Sequence, residues 1–318
     1  MPEDLNDILQ WDADKKAGFS RENLLFQHQL DQSDLFSDEA LITLIDRYPR
    51  DKLEVFTMGY DPTNWTQWYM GRRGDHDGRS LMDGVRAGRL WLNLRKVNQS
   101  DAEIGALCDA MFAEIKAKSG VTTLKQDLGL LISSPNAHVF YHLDIPLVTL
   151  YQIRGIKRVY VYPPTSEFVT DRDLEAIALR ENDEQLPFNP EWDKAAMVVD
   201  FKPGEMLTWK QNAPHRIVNH DMVNVSLSIE FMTPRAIWRA NVLYANGLLR
   251  RWFKLNPSIE RSPKWLEPFK VVFARLVKMA GGYTGGKNPL KPRFTLDAKA
   301  AHVLHFDQDT PAPVKDAA

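Results

Sequence analysis

The sequence predicts a mainly β protein with helical flanks: a sandwich or barrel of antiparallel strands, preceded by α/β elements and followed by two helices. Three observations carry this. Residues 128–233 break into short β-type runs separated by Pro, Gly and Asn/Asp turns, residues 89–97 alternate with a period of two, and the apolar positions after Ser100 and after Pro234 recur at helical spacing.

Residues 1 to about 20 are polar and read as irregular, 24–30 (LLFQHQL) reads as a strand, and Ser37, followed by Asp38 and Glu39, can cap a helix running to Arg47. Segment 54–60 (EVFTMGY) reads as a strand and 61–79, rich in Gly, Asp and aromatics, as a long loop of the kind that carries binding residues. In 89–97 Leu90, Leu92 and Leu94 share a core face, leaving Trp91, Asn93 and Arg95 on the other. Ser100-Asp101-Ala102-Glu103 reads as a capping box, opening a helix whose face is Ile104, Leu107, Met111 and Ile115 and whose end is Gly120. The β runs that follow are GLLISS, HVFYH, VTLYQI, KRVYVY, MVVDF, MLTW and VSLSIEF, interrupted at 163–196 by an insert holding a short helix, Asp171 to Leu179, on the barrel rim. Two helices with wide apolar faces come next, ending at Gly281-Gly282, and the tail from 283 reads as extended. The expected organisation is an N-terminal flanking region 1–127, a β domain 128–233, a helical region 234–282 and a tail 283–318.

The chain has 318 residues, 40 Lys+Arg against 42 Asp+Glu for a net charge of −2, and an apolar fraction of 44%. That suits a folded protein of one large or two modest domains and offers no electrostatic footprint for nucleic acid or an anionic membrane. Cys108 is the only cysteine, which excludes an internal disulfide and a thiolate metal cluster and makes a reducing, cytoplasmic setting the default. The first residues are acidic where a signal peptide is basic, and no apolar run approaches a membrane span.

The chemistry-bearing constellation is His142-Leu143-Asp144 with His215. Positions i and i+2 of a strand share a face, so His142 and Asp144 can converge on one metal, with the third ligand from a neighbouring strand. A two-His, one-carboxylate face leaves open positions and is the arrangement of non-haem Fe(II) oxygenases. By composition roughly 0.7 chance His-x-Asp triplets are expected, and His305-Phe306-Asp307, with no later strand or histidine to complete it, reads as such a coincidence.

The stretch His142 to Pro164 (HLDIPLVTLYQIRGIKRVYVYPP) resembles the JmjC group of cupin-fold 2-oxoglutarate oxygenases, most closely the asparaginyl-hydroxylase-like members. Shared features are the His142/Asp144 pair, Gln152-Ile153-Arg154-Gly155-Ile156-Lys157-Arg158 at the family's offset, Pro163-Pro164, Pro203-Gly204-Glu205, Pro214-His215, Asn219 and the strand VSLSIEF. The resemblance covers roughly 128–233. It implies a double-stranded β-helix (jelly-roll, cupin) core, Fe(II) held by His142, Asp144 and His215, and Lys157 on the distal carboxylate of 2-oxoglutarate. The activity implied is 2-oxoglutarate- and O₂-dependent hydroxylation of a protein side chain, peptide or small metabolite, releasing succinate and CO₂.

Physical reading agrees for Lys157, which is flanked by apolar residues and is costly to bury without an anion; the bland alternative is a surface lysine. The chain departs from the family at Val139 and Val148, where a hydroxyl and an amide are common, so Thr149, Tyr151, Ser134 and Asn93 are the candidates for the second carboxylate contact. Glu230 either meets a substrate amine or guanidinium or pairs with a nearby Arg. Arg95 either binds a substrate anion or is salt-bridged at the surface, and Trp65, Trp68 and Tyr69 either line the substrate mouth or pack in the core. His138 is either behind the ligands on the same strand face or a structural histidine. Two further functions stand beside the oxygenase: a cupin metalloenzyme that does not use 2-oxoglutarate, and a non-catalytic cupin-fold binding module. The C-terminal helices suggest a homodimer.

Overall fold

The computed structural model describes residues 8–11, 13–182, 184–283, 285 and 290–313. The architecture is mixed α/β, built on one large sheet and one small one. In chain order the strands are β1 (Leu9–Gln10), β2 (Leu24–His28), β3 (Leu53–Met58), β4 (Trp68–Arg72), β5 (Trp91–Leu94), β6 (Leu124–Ser133), β7 (His138–His142), β8 (Leu147–Arg154), β9 (Lys157–Val161), β10 (Met197–Phe201), β11 (Glu205–Thr208), β12 (His215–Asn219), β13 (Asn224–Met232), β14 (Phe294–Leu296) and β15 (Leu304–Phe306). The large sheet runs β1-β2-β11-β8-β13-β6-β5-β3-β4-β14-β15, and the small one β10-β9-β12-β7. Every pairing is antiparallel except β14 with β4.

The helices are α1 (Asp38–Arg47), α2 (Gly78–Ala87), α3 (Val97–Ser100), α4 (Ala102–Ser119), α5 (Asp171–Ala178), α6 (Pro234–Phe253) and α7 (Glu267–Met279). Their starts follow local chemistry. The Ser37 hydroxyl accepts from Ala40 N, Asp77 from Ser80 N, and Thr170 forms a reciprocal box with Asp173. At α4 the cap is Asp101, whose carboxylate accepts from Glu103 N and Ile104 N, while Ser100 ends the short α3 before it. None of the described helices is long and apolar enough to cross a membrane.

Both faces of the large sheet are covered. Behind it, Leu92, Leu94, Leu128, Leu130, Ile132, Leu227 and Ile229 pack with Ile104, Leu107, Met111 and Ile115 of α4. In front, Val148, Leu150 and Leu207 pack against Val159, Val161 and Ile217 of the small sheet, so the two sheets face each other across an apolar layer. Residues of 163–196 do not sit on a rim. They cover the outer face of the small sheet, where Phe168, Leu174, Ile177 and Leu186 pack on Tyr141, Leu143 and Tyr162, tied down by Arg216, whose guanidinium lies 3.4 Å from the Tyr160 ring centroid and pairs with Asp193.

Three segments differ from their sequence reading. The 61–79 stretch contains β4, hydrogen-bonded to β3, and ends in α2. His215–Asn219 forms β12, a strand too polar to stand out as a β run. The tail is not merely extended: β14 docks beside β4, and Phe294 lies where a side chain at Gly71 would be, 2.2 Å from an ideal Cβ.

Candidate metal centre and active site

His142 ends β7 and pairs directly with His215 at the start of β12. Between this pair and the next, Ile217 with Val139, β12 takes two steps and β7 takes three: a β-bulge. The extra residue turns both Val139 and His142 toward the space between the sheets. At the end of the strand and just past it, Tyr141 and Leu143 point outward into the insert while His142 and Asp144 point inward. Ligand atoms of His142, Asp144 and His215 all lie within 4.8 Å of one another, with His215 Nε2 3.4 Å from Asp144 Oδ2 and the imidazole centroids 4.1 Å apart.

Each imidazole gives its Nδ1 hydrogen to a backbone carbonyl, His142 to Phe140 at 2.7 Å and His215 to Ala213 at 3.1 Å. The Nε2 lone pairs are therefore left facing Asp144. Burial lowers the pKa of both rings, His215 well below the usual value, with the charge of His142 adding to the effect. Neutral imidazoles are the ligating form. The Asp144 carboxyl is pushed up to about 8, first by burial and then by the charge of Glu230, a penalty that a divalent cation among the three groups would reverse. Two neutral imidazoles and one carboxylate suit Fe(II) and its borderline neighbours.

A cavity of about 270 Å³ adjoins the triad. Its inner wall is apolar, with Leu131, Val139, Val148, Leu150, Trp209 and Ile217, and one side is aromatic, where Trp68 lies 4.9 Å from Phe56 and 5.0 Å from Trp91. Among the described residues five carboxylates line it, Glu54, Asp127, Asp144, Glu184 and Glu230, against two cations, Arg95 and Lys96. Lys96 stands 3.4 Å from Asp127 and the largely exposed Arg95 4.0 Å from Glu54. Burial raises the Glu230 carboxyl, and the charge of Glu184 adds to it.

Lys157 is 4% exposed and gives its ammonium to Ser226 Oγ at 2.6 Å. Ser226 donates to Gln152 Oε1, and Gln152 Nε2 is in turn held by Asn224 and the carbonyls of Arg154 and Gly155. Among the described residues no acidic group stands beside the amine, and burial alone lowers its pKa to about 7. Ser226, Ser228 and Glu230 follow one another on the inner face of β13, so a polar stripe runs from Lys157 to the cavity beside the triad.

Of the other residues singled out from sequence, Asn93, Arg95, Trp68 and Glu230 line the cavity, with Asn93 Nδ2 bonded to Glu54 at 2.8 Å. Thr149 and Tyr151 do not. Their parity on β8 puts them behind the large sheet, where Tyr151 packs in the core and lies 5.4 Å from the His28 ring. Trp65 lies outside the cavity and is partly exposed, and Tyr69 packs on Phe306. Ser134 is fully buried and bonds Val85 O and Leu90 N. His138 faces Arg89 at 3.0 Å, turned from the triad by the bulge. His305 bonds Asp297 at the surface. Sequence reasoning missed Glu54, Asp127, Glu184, Trp91 and Ser228. Trp91 shares the parity of Asn93, and Glu54 and Asp127 are isolated acids in β-type runs, whereas nothing local marks Glu184.

No family model matches the sequence, and no curated protein does. Among solved structures, the chain is similar to the X-ray structure of Escherichia coli YcfD, with a TM-score of 0.48 and 16% identity over 84% of this chain and 67% of that one. It is similar also to YcfD, described as a ribosomal oxygenase, in complex with cobalt and 2-oxoglutarate, with a TM-score of 0.46, 16% identity and the same coverage. A more distant likeness is to crystal structures of the DMSP lyases RdDddP and RnDddQII, with a TM-score of 0.22 and 12% identity over 34% of this chain and 40% of that one.

Proposed function

We propose that the protein is an Fe(II)- and 2-oxoglutarate-dependent oxygenase of the JmjC type, on a double-stranded β-helix core formed by 128–233, that hydroxylates an unactivated C–H bond. The observation that carries this is a His142/Asp144/His215 triad on the cavity and, where the stripe Glu230, Ser228 and Ser226 leads away from it, a buried lysine with no carboxylate partner among the described residues. Iron bound at the triad, with 2-oxoglutarate and O₂, supplies the oxidising chemistry, and succinate and CO₂ leave.

The chain's own residues bind, orient and exclude water. Lys157, steadied through Ser226 and Gln152, receives the distal carboxylate of 2-oxoglutarate, an anion that repays the burial of the amine. Val139, Val148, Leu150 and Ile217 keep the space between lysine and triad dry. Asn93 is the remaining amide of the sequence candidates on this cavity and serves the co-substrate or the substrate.

The mouth suits a substrate that carries a positive charge, an amine or guanidinium of a protein side chain, peptide or small metabolite. Carboxylates outnumber cations, Glu230 has no hydrogen bond or ion pair among the described residues, and the rings of Phe56, Trp68 and Trp91 offer cation–π faces. We assign the exposed face of α7 to a homodimer contact. Phe269, Val272, Leu276 and Met279 of α7 and Trp265 in the turn before it are all exposed and repeat at spacings of four and three, the seam of a helix pair.

The test is an anaerobic titration of apo-protein with Fe(II) and then 2-oxoglutarate, following the visible charge-transfer band of a chelated 2-oxo acid. We expect the band in wild type and its loss in His142→Ala and Lys157→Ala. Iron binding with no band overturns the reading in favour of a cupin that binds its substrate directly.

A further inference from the structure

The two histidines are placed by a strand ladder, whereas Asp144 lies past the end of β7 and before β8. Past Leu143, which bonds the insert at Glu184, the next two carbonyls are held by two adjacent side chains from the turn between β11 and β12. Asn212 Nδ2 donates to the carbonyl of Asp144 at 2.9 Å, and Gln211 Nε2 to that of Ile145 at 3.0 Å. Both amides also reach α6. Asn212 Oδ1 accepts from Arg239 Nε at 2.8 Å, and Gln211 Nε2 lies 3.2 Å from Ala236 O. Only one orientation of the Asn212 amide satisfies both of its partners, a carbonyl and a guanidinium. Asn212 is 2% exposed and has a φ of +62°, a left-handed conformation that asparagine tolerates better than most residues.

We propose that Asn212 and Gln211 are positioning residues for the metal carboxylate, through which helix α6 sets Asp144 against the two histidines. This rests on reading the triad as the metal site. The residue before Asp144 is held by the insert, through Leu143 N to Glu184 O, whereas the carbonyl of Asp144 itself is tied to a helix outside both sheets, through Asn212 and Arg239. Polar partners of metal ligands typically govern affinity by about 10- to 100-fold.

The experiment is a Co(II) titration of the full chain, read by the d–d absorption of the bound ion, beside thermal unfolding of the apo-protein. Asn212→Asp keeps an acceptor for Arg239 but puts an oxygen against the Asp144 carbonyl. Arg239→Met frees the amide from the helix, and Arg239→Lys restores a donor. We expect Asn212→Asp and Arg239→Met to weaken Co(II) binding about 10-fold or more and to change the d–d spectrum, with apo unfolding little altered and Arg239→Lys close to wild type. Wild-type affinity and spectrum in both weakened variants, with binding abolished by Asp144→Asn, overturns the proposal while leaving the metal site standing. No Co(II) binding by wild type removes the site itself, and the proposal with it.

Discussion

Lys157→Met should make the apo-protein more stable and weaken 2-oxoglutarate binding by orders of magnitude. The amine is buried beside Ser226, and its pKa falls from 10.5 to about 7 through burial alone. That interval corresponds to about 5 kcal/mol against the charged form. The unfolded lysine titrates near 10.5 and the folded one near 7, so between these values the unfolded chain holds more protons. Stability therefore rises with pH across that window, and the whole penalty is present below pH 7. Methionine removes the charge and fills similar volume at the cost of one hydrogen bond, giving an expected net gain of about 1–4 kcal/mol at pH 6 that shrinks by pH 9. Urea unfolding at the two pH values measures it. In the iron-loaded protein the same substitution leaves a carboxylate unpaired in an apolar space, a loss of about 3–5 kcal/mol, or about two to four orders of magnitude in affinity. Reduced stability at both pH values, or wild-type affinity for 2-oxoglutarate, refutes the reasoning.

Because the lysine must be protonated to hold a dianion, apparent affinity for 2-oxoglutarate should fall about tenfold per pH unit above 7, with proton uptake approaching one at pH 8 by calorimetry in two buffers; a flat profile contradicts this. Glu230→Gln should raise KM for a cationic substrate, once one is found, more than it lowers kcat, and should leave 2-oxoglutarate affinity unchanged. Light scattering at micromolar concentration should give a dimer that Phe269→Glu converts to a monomer, and a wild-type monomer sinks the assignment of α7. Gly71→Ala should displace β14, since its methyl would meet the Phe294 ring, lowering stability by about 1–3 kcal/mol, read by urea unfolding.

What could be read from the sequence followed from periodicity and from spacing. Leu90, Leu92 and Leu94 gave their parity away, all three fully buried, and the same parity put Asn93 on the cavity. The His142/Asp144 pair was readable because two residues on an extended chain share a face. Other features were hidden for physical reasons. β8 is buried on both faces, so it reads as a continuous apolar run and nothing in it says that Thr149 and Tyr151 face the back. The bulge in β7 adds one residue without a sequence mark, which is why His138 seemed to share the face of His142 and does not. Glu184 reaches the cavity from the insert because its backbone bonds to Leu143 at the edge of β7, a long-range pairing that no local pattern announces.

The parallel pairing of β14 with β4 bears on how the protein is made. Trp68, in the aromatic wall of the cavity, belongs to a strand whose outer edge is closed by a segment 223 residues further along the chain, where Arg72 meets Thr295. Until that segment has been synthesised and has docked, β4 is an open sheet edge beside exposed aromatic rings, the kind of surface that draws other chains into aggregates. This wall of the cavity is thus completed only when the C-terminal segment is available, after the strands that carry His142 and His215 have been made.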